Sequence, residues 1–156
     1  MSLKVGDVAP EFKLFNTNKE EVSLSDSNGK NRIILFFPFA FSGICSEELC
    51  SVQDDIAYYQ GLDAVVYGIS VDSLFSLGKF KEVTGVSFDL LSDFNKETSL
   101  NYGALHEAVG FGMRGVSKRS AFVIDKNGII RYAEISENPK IVPNFDAVKE
   151  ALASLK

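Results

Sequence analysis

Only two cysteines occur in the 156 residues, five positions apart at Cys45 and Cys50. Paired thiols of this kind can ligate metal, lie inert in a core, or do redox chemistry through a thiolate. With one histidine, His106, in the whole chain, the set is too small for a self-sufficient structural zinc site. Redox chemistry is the informative possibility. Cys45 follows the turn-forming pair Ser42-Gly43 and precedes an amphipathic stretch with Leu49, Val52, Ile56 and Tyr59 at helical spacing. It therefore falls at a loop-to-helix junction, where unpaired backbone N–H groups and the positive end of the helix dipole favour a thiolate. The preceding turn also predicts that Cys45 stands at a surface rim rather than in the core.

The elements that must position this junction are legible around it. Ile33 to Phe37 is an apolar run with the length of a buried strand, and Ala64 to Val71 is a second, as expected for a sheet covered on both faces. The helix after Cys45 is predicted to run to about Gly61. Asp72-Ser73 can cap a helix reaching about Glu82, with Leu74, Leu77 and Phe80 on one face. Phe88 to Leu91 reads as a short strand, and Ser92-Asp93 as the cap of a helix over Asn95 to Tyr102. Residues 103–117 carry four glycines and read as a mobile or tightly turned connection. Ala121 to Ile124 and Ile129 to Glu134 flank Asp125-Lys126-Asn127-Gly128, a hairpin signal, and Pro143-Asn144 opens a last helix. Upstream, Glu21 to Leu24 alternates like a half-buried strand, while Phe12, Leu14 and Phe15 offer apolar contacts. The order of elements predicts one α/β domain over residues 1–156, a central mixed sheet with helices on both faces.

Composition narrows the partners. A net charge of -5 without a block of Lys or Arg argues against nucleic acid and against a polybasic membrane contact. The longest apolar run, Ile33 to Phe41, contains Pro38 and is far too short for a membrane span. The first residues lack the apolar core of a signal peptide, so a cytoplasmic location, with cysteines kept reduced, is the expectation.

The stretch from Pro38 through Ser42 to Cys45 resembles the active-site motif of the peroxiredoxin family, Pro-x-x-x-Thr/Ser-x-x-Cys. Val5-Gly6-Asp7 with Ala9-Pro10 and Phe12 resembles that family's N-terminal segment, Arg119 to Asp125 its downstream arginine strand, and Asn127 to Ile130 the hairpin beyond. The likeness covers essentially the whole chain in order and spacing. It implies a thioredoxin-like fold and reduction of hydrogen peroxide and organic hydroperoxides, with no metal or organic cofactor. By the same likeness Cys45 is the peroxidatic nucleophile, Ser42 offers its hydroxyl to thiolate and peroxide, Arg119 stabilises the thiolate and holds the peroxide oxygens, and Pro38 shapes and shields the loop. Each residue also has a plainer reading. Ser42 could cap the helix, Pro38 could end the strand, and Arg119 could be solvated, with Arg114 near enough to compete for its role. Glu48 matches the subgroup below, but a glutamate early in a helix is ordinary dipole complementarity. His106 reads as a surface or loop histidine. Phe39, Phe41 and Phe111 are candidates for an apolar rim suited to organic substrates.

The four residues between Cys45 and Cys50 resemble the PrxQ, or bacterioferritin comigratory protein, subgroup, in which the second cysteine resolves the sulfenic acid within one chain. The Gly43-Ile44-Cys45 sequence instead resembles the one-cysteine, alkyl hydroperoxide reductase E-like subgroup, where an outside thiol resolves it. Five residues of intact helix advance roughly 7.5 Å and turn about 140°, whereas a disulfide needs Cα atoms about 4.4–6.8 Å apart. A Cys45–Cys50 bond therefore requires the first helical turns to unwind. The resemblance implies a thioredoxin-like dithiol protein as reductant, and a monomer or a homodimer. Three other functions compete. A disulfide oxidoreductase usually places its cysteines as Cys-x-x-Cys. A redox sensor would have the same site, and a structural binding module would need no reactive thiol.

Overall fold

In the computed structural model, which describes residues 3–155, a seven-stranded sheet runs through the chain. The ends of the expected 1–156 unit, Met1, Ser2 and Lys156, lie outside the described residues. The chain forms β1 (Lys13–Asn16), β2 (Glu21–Ser23), β3 (Asn31–Phe36), α1 (Gly43–Asp54), α2 (Ile56–Gly61) and β4 (Ala64–Ser70). It continues with α3 (Leu74–Thr84), β5 (Asp89–Ser92), α4 (Glu97–Asn101), β6 (Ser120–Ile124), β7 (Ile130–Ile135) and α5 (Phe145–Ala153). Strands lie in the order β2-β1-β5-β4-β3-β6-β7. The pairs β3–β4 and β4–β5 are parallel and the other pairs antiparallel, so the sheet is mixed as expected.

The alternation of side chains along β3 decides where the core sits. Ile33, Leu35 and Phe37 point to one face, where Leu49 and Val52 of α1, Leu77 and Phe80 of α3, and Val148 and Leu152 of α5 cover them. Ile34 and Phe36 point to the other face, packed with Phe12, Tyr102 and Phe122. Buried on both sides, β3 has no polar face to present, which is why its sequence is a continuous apolar run rather than an alternating one.

Several boundaries depart from the sequence expectation. Phe12 to Asn16 does more than offer contacts: Lys13–Asn16 is a strand, held between β2 and β5. The helix expected to run unbroken to Gly61 divides at Asp55, whose φ of -103° and ψ of 12° leave the helical range. The expected helix over Asn95 to Tyr102 shrinks to Glu97–Asn101 because Lys96 adopts a left-handed conformation, φ 69°. Asp93 still caps it, accepting from Thr98 N–H and Ser99 N–H. The glycine-rich connection is tightly turned, with Gly103, Gly112 and Gly115 all at positive φ. Among the described residues no helix is long and apolar enough to cross a membrane.

Candidate active site

Topology, not sequence proximity, builds the site. Because β3 and β6 are antiparallel, with Phe36 opposite Ser120, the chain leaves β3 toward Pro38 at the edge where Arg119 enters β6. Residues 74 positions apart thus meet: Arg119 Nη2 donates to Cys45 Sγ at 3.1 Å. The same guanidinium donates from Nη1 to Glu48 Oε1 at 2.7 Å and from Nε to the Pro139 carbonyl at 2.8 Å. All three positions of the fork are engaged, which fixes its plane. Arg114, the sequence rival, is exposed.

Cys45 is fully buried, contrary to the expected surface rim. The apolar stripe of α1 explains this. Stepping back four residues from Leu49 along the helix reaches Cys45, so the sulfur shares the buried face of Leu49 and Val52. Ser42 is the N-cap of α1, and its Oγ accepts from Cys45 N–H at 3.2 Å. That capping role does not exhaust the hydroxyl, since its own O–H remains available to donate. Pro38 is buried two residues beyond the end of β3.

Cys50 does not join this group. It lies half-buried further along α1, with its Sγ 3.9 Å from the Thr84 carbonyl oxygen, and α1 runs unbroken through both cysteines. Both thiols are free. His106 lies in a loop, one of its two expected settings, but not at the surface. It is buried in the glycine-rich connection, its backbone N–H donating to Val116, and burial holds its ring below the usual histidine range.

Two residues matter more here than their sequence context suggested. Glu48 is no ordinary first-turn carboxylate: its side chain is completely buried against Arg119. Burial pushes its carboxyl up to about 7, against the opposing pull of Arg119. For Arg119, burial works against the charge, but the Cys45 sulfur and Glu48 outweigh it and raise its pKa. The available signal was the three-residue step from Cys45, which puts Glu48 on the same face of the helix. Asp72, read as a helix cap, instead anchors the loop before Cys45: its Oδ2 accepts from Ala40 N–H at 2.8 Å and from Ser70 O–H at 2.7 Å, while Ser73 caps α3. That loop needs an anchor. Phe41 sits at φ 70°, a conformation costing a non-glycine residue roughly 1–2 kcal/mol. Its ring packs on Phe80, 5.2 Å between centroids.

Beside the guanidinium lies a cleft of about 430 Å³, walled by Pro38, Phe39, Ile44, Val109, Phe111 and Met113, with Ser42, Arg119 and Lys140 as its polar lining. Phe39 and Phe111 thus form the expected apolar rim. Phe41 does not, because its ring turns onto α3.

Fold and site together define a thioredoxin-like protein that holds a buried cysteine against an arginine lining an open cleft, an arrangement for thiol redox chemistry. The sequence profile of the AhpC/TSA family matches residues 5–133. Alkyl hydroperoxide reductase E of Mycobacterium tuberculosis is 36% identical over 156 residues, spanning 98% of each chain. Peroxiredoxin Bcp of Bacillus subtilis is 34% identical over 157 residues, spanning 100% of this chain and 97% of its own. The crystal structure of a peroxiredoxin-like protein from Aquifex aeolicus matches with a TM-score of 0.90 and 25% identity, covering 100% of this chain and 90% of that one. The chain belongs to the AhpC/TSA family and is a thiol peroxidase of the peroxiredoxin type.

Proposed function

We propose that Cys45 is the peroxidatic cysteine, that it reduces hydrogen peroxide and organic hydroperoxides, and that Cys50 resolves the product as an intramolecular disulfide. The observation that carries this reading is the Arg119 Nη2–Cys45 Sγ contact at 3.1 Å beside an open cleft. A guanidinium at that distance stabilises the thiolate, the nucleophilic form. The thiolate attacks one peroxide oxygen, forming the S–O bond as the O–O bond breaks; the sulfur becomes a sulfenic acid and the leaving oxygen takes a proton. Arg119 and the Ser42 hydroxyl are the fixed donors for the charge that develops on that oxygen, and Pro38 keeps bulk water from the sulfur. The apolar cleft walls favour alkyl substituents on the substrate. A thioredoxin-like dithiol protein then reduces the disulfide, in a cytoplasmic setting that keeps thiols reduced.

A second reading, resolution by an outside thiol, is favoured by one observation: α1 is regular through Cys50, and Glu48 and Leu49 between the cysteines are buried. Intact mass after reaction of the reduced protein with one equivalent of hydrogen peroxide decides between them. Loss of two hydrogens supports the Cys45–Cys50 disulfide; gain of one oxygen assigns resolution to an outside thiol. Reaction no faster than that of a free cysteine would sink the peroxidatic role of Cys45.

A further inference from the structure

Cys45 and Glu48 lie one helical turn apart and share a single guanidinium, Nη2 on the sulfur and Nη1 on Oε1. Both side chains are buried, so a thiolate and a carboxylate together would leave one buried negative charge uncompensated, a costly arrangement. The other carboxylate oxygen, Glu48 Oε2, is buried and has no hydrogen-bond partner among the described residues. Nothing there solvates a negative oxygen, and although a carboxylic O–H would also lack a partner, the neutral form avoids the larger cost of an unsolvated buried charge. The surrounding groups pull in opposite directions. Arg119 at the start of β6 favours a charge on Glu48, whereas Glu134 on β7 opposes one, and Glu134 is itself held by Tyr132 O–H and Asn144 N–H. The direction of the Glu48 pKa, up to about 7 through burial, agrees with this geometry.

We propose that Glu48 keeps a proton on Oε2 while Cys45 is a thiolate and gives it up as the sulfur is oxidised, so that the site itself balances the proton taken by the leaving oxygen of the peroxide. This rests on Cys45 being the peroxidatic cysteine. In the balanced step, the Cys45 thiolate, the Glu48 carboxylic acid and the hydroperoxide become the Cys45 sulfenic acid, the Glu48 carboxylate and an alcohol, or water from hydrogen peroxide. Arg119 exchanges one counterion for the other, thiolate before and carboxylate after, and the net charge of the buried site is unchanged. Glu48 acts through Arg119 and does not touch substrate; it is a positioning and proton-holding residue.

The test is net proton uptake during one turnover, read with an indicator dye in weakly buffered solution near neutrality after mixing with one equivalent of hydrogen peroxide. The wild type is expected to take up only about half a proton from solvent for each sulfur oxidised, because a midpoint near 7 that falls by about one unit releases about half a proton near neutrality. Glu48→Gln is expected to take up about one, because nothing in that variant replaces the proton consumed. Equal uptake by both proteins overturns the proposal. A second measurement stands if that variant folds poorly: the carbon-13 carboxyl resonance of Glu48, titrated in reduced wild type and in Cys45→Ser. Its midpoint is expected about one pH unit lower without the sulfur anion; identical midpoints overturn the proposal. Rapid peroxide consumption with equal proton uptake would remove only the role of Glu48, whereas slow consumption would remove the peroxidatic role of Cys45 as well.

Discussion

Oxidation to a Cys45–Cys50 disulfide is expected to unwind the start of α1, and the structure gives the scale of the change. Bringing the two sulfurs together pulls Leu49 from the core, at about 2 kcal/mol, and breaks the Ser42 cap, at about 1 kcal/mol. It also separates Arg119 from Cys45 and Glu48, two charge-assisted hydrogen bonds worth about 2 kcal/mol each. Against this, about five residues regain backbone freedom, at roughly 1 kcal/mol each. These terms put the opening on the order of 2 kcal/mol, so a few per cent of the reduced protein is expected to be open. Hydrogen exchange followed by mass spectrometry reads this directly. In the reduced protein, amides from Cys45 to Cys50 are expected to be protected only about 30- to 100-fold, far less than those of β3, and to lose that protection after one equivalent of peroxide. Disulfide formation with protection of these amides unchanged would refute the geometry. So would a reduced helix start as well protected as β3, because the open state would then be too rare to serve resolution.

Other perturbations follow from the same contacts. Arg119→Lys keeps a charge but loses the fork on Cys45, Glu48 and Pro139, and is expected to lower the second-order rate with hydrogen peroxide by about 10- to 100-fold. The chain has no tryptophan, so the rate is best followed by competition with a haem peroxidase. Asp72→Ala releases Ala40 N–H and should lower the melting temperature by a few degrees and the peroxide rate about tenfold; a lower melting temperature with an unchanged rate would make Asp72 a purely structural anchor. Phe111→Ala removes an exposed wall of the cleft and should reduce kcat/KM for an aryl hydroperoxide about fivefold while sparing hydrogen peroxide. Because the carboxyl of Glu48 is raised in the folded state from 4.5 to about 7, its contribution to stability is complete below 4.5 and lost as pH rises through about 7. Urea denaturation should therefore show wild type losing stability relative to Glu48→Gln across that window.

The local chemistry of the site was legible in the chain because it depends on short-range rules. A turn followed by an amphipathic stretch places Cys45 in the first turn of a helix, Ser42 caps that helix, and continuous apolar runs at residues 33–37 and 64–71 read as doubly covered strands. The hairpin at Asp125 to Gly128 and the cap at Asn144 were readable for the same reason. Short-range rules could not rank Arg114 against Arg119, and only the family resemblance favoured Arg119. The tertiary structure supplies the physical reason, because the antiparallel pairing of β3 with β6 carries Arg119 to the start of α1. Only that structure decided that Cys45 is buried, that Asp72 holds a loop rather than a helix end, and that Glu48 is enclosed with its carboxylate on the same guanidinium. These outcomes depend on what packs against a side chain from distant parts of the chain. Burial and the sharing of one cation between two acids are properties of that packing, and the order of residues along α1 does not contain them.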